Sequence, residues 1–189
     1  MIWLVLGIVV FLGVHSVRMV APGLRERVIA ERGEGTWKGI YSVVSLVGFV
    51  LLVWGFGQAR MGAPILWTPP VWLAHINLLL MLIALIVLAS YAVPTGHIKR
   101  AAKHPMILAV KIWALGHLLA NGDLASLILF GSFLAWGVWN RISLKRRGAP
   151  DHGEPALRND VIAVVIGTAV YVWLLLQGHQ WLFGVPPIA

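Results

Sequence analysis

Residues 71–93 read VWLAHINLLLMLIALIVLASYAV, a run of 23 with no Asp, Glu, Lys or Arg. A helix needs about 20 mostly apolar residues to cross a bilayer, so this stretch predicts a transmembrane helix. The same reading carried outward predicts further spans over about 1–17, 39–57, 105–120, 124–140 and 161–177. The 105–120 run is short and is interrupted by Lys111. The first run carries no charge until Arg18, whereas a signal peptide would place its positive charges before the apolar stretch. A retained first helix is therefore expected. Asn121-Gly122-Asp123 leaves room only for a tight turn, which predicts that its flanking helices run antiparallel.

Composition and charge agree with a membrane chain. Of 189 residues, 59% are hydrophobic and 12% charged, against about 45–50% and roughly a quarter in soluble domains. The absence of Cys excludes disulfides, thiolate metal ligands and thiol chemistry. The net charge of +8 does not point to nucleic acid, because the basic residues sit in short clusters between apolar runs. Arg18, Arg25, Arg27, Arg32 and Lys38 lie in the first loop, and Lys99, Arg100 and Lys103 in the third. Arg141, Lys145, Arg146, Arg147 and Arg158 lie in the fifth. The second loop holds only Arg60. Lys and Arg stay cytoplasmic, so the odd loops are expected to face inward. The expectation is an all-α integral membrane protein: one domain over residues 1–189, a bundle of about six transmembrane helices, both termini on the non-cytoplasmic side. Asp151–Pro155 is the most linker-like segment, and Lys145-Arg146-Arg147 is expected to attract anionic lipid.

Polar groups at membrane depth are costly, and those kept there tend to face the bundle interior and carry function. His15 follows Leu4, Ile8 and Phe11 on one helical face. His117 sits one turn beyond Trp113, and His104 precedes Pro105 at a helix start. His75 lies at the outer end of its span, while His152 and His179 fall outside the spans and receive no role. Neutral imidazole ligates iron, and helix bundles hold cofactors with side chains from facing helices. Lys111 reads either as a counter-charge for a cofactor carboxylate or anionic substrate, or as a snorkelling side chain. Asp123 is expected to cap the following helix. Trp3, Trp54, Trp67, Trp72, Trp139 and Trp181 suit an interfacial belt, with Trp113 and Trp136 deeper.

Val14-His15-Ser16, Glu31-Arg32-Gly33-Glu34, Lys103-His104-Pro105 and the run Trp113–Asp123 together resemble the NnrU family, small membrane proteins associated with bacterial denitrification. The likeness extends over about residues 1 to 180. The same pattern is similar to plant zeta-carotene isomerase, a haem-b protein. That resemblance implies haem b held by His15 and His117, with His104 functionally important. It departs at Ala114, where the isomerase has Cys, and at Trp136, where it has His. Depth counting leaves a second pairing open. His15 and His104 sit at the same end of their spans, whereas His117 is thirteen residues beyond His104, about 20 Å along a helix.

The resemblance implies a haem-b-binding protein of the bacterial inner membrane, supporting nitric oxide or nitrite reduction or sensing. The bilayer is an expected partner, with nitric oxide, an apolar small molecule or a reductase complex as further candidates. The cofactor-binding set is His15, His104, Lys111, Trp113 and His117, with iron on His15 and His117 or, alternatively, His104. Three other functions compete: haem-dependent cis-trans isomerisation of a carotenoid-like polyene, a small membrane methyltransferase suggested by His104-Pro105, and a reductase-assembly scaffold without chemistry.

Overall fold

Backbone amides in a bilayer have no solvent to bond to, so an apolar chain satisfies them within helices. The computed structural model describes residues 1–148 and 150–188. Along them run α1 (Ile2–Val20), α2 (Pro22–Arg60), α3 (Val71–Ala92), α4 (His97–Ala102), α5 (Pro105–Ala120), α6 (Leu124–Arg146) and α7 (Leu157–Trp173). One π turn, Leu174–Gly178, continues α7 into α8 (His179–Phe183). Five stretches are long and apolar enough to cross a membrane: Ile2–Val20, Pro22–Arg60, Val71–Ala92, Leu124–Arg146 and Leu157–Phe183. The sixth expected span is the shorter apolar helix Pro105–Ala120, whose 16 residues rise about 24 Å, less than the ~30 Å hydrocarbon core. The chain is an all-helical, multi-pass membrane protein, and its exposed Val43, Leu46, Val50, Val161 and Val165 are lipid-facing in character. The six Trp assigned to the interface are all exposed, and Trp3 and Trp54 lie 5.5 Å apart, ring to ring.

Two differences from the sequence expectation are instructive. The first loop is helical: Pro22 occupies the first turn of α2, where its missing N–H costs nothing, and the helix is broken only at Gly33 (φ 82°, ψ 160°). Such a φ suits Gly alone among ordinary residues. Charged residues here line an exposed helix, with Lys38 Nζ 3.2 Å from Glu34 one turn away. Likewise α6 runs to Arg146 and α7 begins at Leu157. Hydropathy ends a span where charge begins, but Lys and Arg are good helix formers and carry the helix onward.

The chain forms two compact units. The first comprises Met1–Trp67 with Gly122–Trp136. Here α1 and α2 pack antiparallel through glycines: Gly55 lies against Leu4, Gly7 against Leu52, and Gly48 against Phe11. Small residues let helix backbones approach closely, the main packing device where lipid removes the hydrophobic drive. Leu4 is fully buried as a result. In the same unit Asp123 caps α6 as expected, accepting the Ser126 N–H at 2.9 Å and the Ser126 hydroxyl at 2.6 Å. Gly122 is explained by close approach, since a Cβ there would strike the Trp67 carbonyl. Its own carbonyl accepts the Leu66 N–H at 2.8 Å.

The second unit comprises Thr68–Asn121 with Gly137–Ala189. In it α3 packs on α5 and α7, with Gly167 against the Ile86 backbone. The short α4 is anchored from a distance. Asp160 on α7 accepts the N–H groups of His97 (2.8 Å) and Ile98 (2.9 Å) and also pairs with His97 Nδ1 (2.8 Å). Asn159 donates to the Thr95 carbonyl at 2.7 Å. Both side chains are buried. Asp160→Ala leaves two helix-start amides without a partner and should cost about 2 kcal/mol. Thermal unfolding in detergent micelles checks this: a melting temperature equal to that of the parent protein would refute the anchoring role.

Candidate functional site

Two intramembrane imidazoles are prepared in the same way, one in each unit. In the first unit, His15 Nδ1 donates to the Phe11 carbonyl at 2.6 Å. In the second, His117 Nδ1 donates to the Trp113 carbonyl at 2.9 Å. A carbonyl can only accept, so in the neutral ring Nδ1 must carry the proton and Nε2 the lone pair. A ring nitrogen anchored to backbone oxygen, with its tautomer set, is the usual outer support of a metal-ligating His.

Around His15 the first unit builds an aromatic wall. Phe11 lies 4.3 Å away ring to ring, Tyr41 5.3 Å and Trp136 6.2 Å, the last edge-on at 87°. Trp136 is held by donation from Nε1 to Ser16 Oγ at 3.1 Å, and Ser16 in turn donates to the Leu12 carbonyl at 2.6 Å. Trp136 therefore belongs to the His15 surroundings, which its sequence position alone did not reveal.

Around His117 the second unit gathers Trp113, 5.4 Å away ring to ring, Asn77, which sequence reading passed over, and His179, to which it gave no role. Asn77 on α3 faces Gly116, and its Oδ1 is buried without a hydrogen-bond partner. His179 lies within electrostatic range of His117, its own Nδ1 bonded to the Val185 carbonyl at 2.6 Å. An Asn inside an apolar run was a readable signal for the first; nothing in the sequence joined His179 to His117. Asn121 closes α5 by donating Nδ2 to the His117 carbonyl at 2.8 Å. Lys111 is half-buried on α5, its Cγ packed at the bare Cα face of Gly137, and among the described residues no carboxylate pairs with it. His75 is exposed.

His104 has a different environment. It sits at the start of α5, caps nothing with its side chain, and its Nε2 is buried without a partner. Burial first, and then the charges of Arg141, His152, Arg147 and Lys103, hold its pKa below the usual His range. The folded protein therefore resists a proton that the unfolded chain accepts near pH 6.5. The stability tied to neutral His104 is present above that pH and lost as pH falls below it. Melting temperature should thus drop between about pH 7 and pH 5, and His104→Gln should flatten that drop. An unchanged pH profile in the variant would refute it.

Among the described residues no group of three His, Cys, Asp or Glu side chains could hold a metal ion by itself. A haem needs only axial ligands from the protein, and single imidazoles with a set tautomer fit that requirement. No curated protein and no solved structure matches the chain. The family model for NnrU protein matches residues 3–187, nearly the entire length. The chain belongs to the NnrU family.

Proposed function

We propose that this protein binds haem b in the bacterial inner membrane and supports nitric oxide or nitrite reduction or sensing. The observation that carries the reading is the shared preparation of His15 and His117, each with Nδ1 tied to the carbonyl one turn before it. Each would offer its Nε2 lone pair to a haem iron. Haem iron supplies a redox centre that binds nitric oxide. Lys111 would meet a carboxylate of the cofactor; its stem lies along Gly137, and no acid among the described residues pairs with its charge. Trp113 offers a flat apolar face beside His117. Asn77 Oδ1 supplies an acceptor still without a donor, next to the His117 helix turn. His104, whose buried Nε2 has no partner, stays as the alternative partner of the iron.

A deletion strain grown without oxygen on nitrate tests the role. It should accumulate nitric oxide or nitrite, and the parent gene should restore normal levels while His15→Ala and His117→Ala do not. Full restoration by both variants would overturn the haem role and leave a scaffold. The inward orientation of the basic loops is part of the same proposal. Because the chain has no Cys, a single Lys145→Cys should resist impermeant thiol reagent in intact spheroplasts, and labelling there would reverse the topology.

A further inference from the structure

We propose that His97 and Glu154 hold a divalent metal ion of the zinc class in an open cavity beside α4, independently of any haem. The cavity measures about 590 Å³ and is lined by His97, Arg100, Ala101, Glu154 and Pro155, all within the second unit. His97 Nδ1 lies 2.8 Å from Asp160 Oδ2. A carboxylate accepts, so in the neutral ring Nδ1 carries the proton and Nε2 the lone pair. Asp160 is itself fixed, because its oxygens also accept the N–H groups of His97 and Ile98. Capping the start of α4 requires only those two amide bonds, so the contact with the imidazole is additional. The ring it orients is 63% exposed, against 11% for the Asp160 side chain, and Nε2 makes no hydrogen bond among the described residues.

The second ligand comes from the loop between α6 and α7. That loop is tied beside His97 through the Thr95 carbonyl, which accepts the Ala156 N–H at 3.1 Å and Asn159 Nδ2 at 2.7 Å. Glu154 lines the same cavity, with its Oε2 3.8 Å from Arg100 Nη1. That separation is too long for a hydrogen bond, so the carboxylate is still free to take a closer partner. Both ligands have the outer support that metal sites give theirs, a carboxylate behind the imidazole and a guanidinium beside the carboxylate. With His97 neutral, two carboxylates and one guanidinium leave the group net negative, which suits a dication. Imidazole nitrogen with carboxylate oxygen is a zinc-type donor set. Zinc takes about four ligands, and the cavity has room for waters of about 30 Å³ each in the remaining positions.

The full chain in detergent micelles, freed of affinity tag and chelator, is titrated with zinc chloride by calorimetry, with magnesium chloride as the control. A single zinc ion should bind and magnesium should not, since magnesium favours an all-oxygen shell. Glu154→Gln should weaken zinc binding about tenfold or more. His97→Ala should weaken it about a hundredfold or more, because losing a ligand exceeds the 10–100-fold typical of losing an outer partner. His97→Ala keeps both amide bonds to Asp160, so its melting temperature without zinc should stay near that of the parent. That readout separates loss of a ligand from loss of the fold. Should His97→Ala fail to fold, the exposed Glu154→Gln decides alone. His152→Ala removes a different imidazole of the same unit and should leave binding intact. The proposal is overturned if zinc gives no more heat than magnesium, or if neither His97→Ala nor Glu154→Gln weakens binding. It is overturned equally if His152→Ala weakens binding as much as His97→Ala does.

Discussion

His117→Ala is expected to lower the haem-to-protein ratio of the purified protein to near background, and His15→Ala to lower it strongly. The argument is coordinative. Loss of an outer hydrogen bond to a ligating His typically costs 10–100-fold in metal affinity, and loss of the imidazole itself should exceed that. The controls lie in the same molecule. His179→Ala removes an imidazole close to His117 whose Nδ1 is also bonded to backbone, but to which no iron is assigned, so haem content should hold. Added imidazole should restore part of the haem in His117→Ala by filling the space left behind. A ratio unchanged in both His15→Ala and His117→Ala would remove the assignment.

The second large effect concerns the α1–α2 contact. A Cβ on Gly55 would sit 2.5 Å from the Leu4 backbone nitrogen, and one on Gly48 2.7 Å from that of Phe11. Backbone cannot step aside as a flexible side chain can, so Gly48→Leu and Gly55→Leu must force the helices apart. The cost should be about 3 kcal/mol or more, at or beyond the top of the usual overpacking range. Gly57→Leu is the control on the same helix, with nothing within 4 Å of its Cβ position. Thermal unfolding in micelles should show both contact variants strongly destabilised and Gly57→Leu close to the parent. Equal melting temperatures for all three would contradict the glycine-mediated packing.

Most of the helical order was legible in hydropathy. The third span, expected over 71–93, is Val71–Ala92, and 105–120 is matched to the residue. Asp123 as a helix cap was also legible, because capping is a local rule that one residue carries. What hydropathy could not show were helices made of charged residues. Residues 22–32 and 141–146 are helical, yet they read as loop because the signal for a span is apolarity rather than helix propensity.

The site was legible only in part. His15, His117 and Trp113 announced themselves as polar or aromatic residues in apolar runs. The carbonyl bonds that set the imidazole tautomers follow from i−4 geometry and could have been read from the spacing. Contacts at long separation could not. Asp160 capping α4 across 63 residues and Asn77 facing Gly116 need the folded chain.

The most direct measurement is the optical spectrum of the protein purified from haem-replete cells, recorded oxidised and after dithionite. Axial imidazole on haem b predicts a Soret band that shifts on reduction, with near-stoichiometric haem in the parent and its loss in His117→Ala. A spectrum with aromatic absorbance alone would contradict the assignment of His15 and His117 as iron ligands.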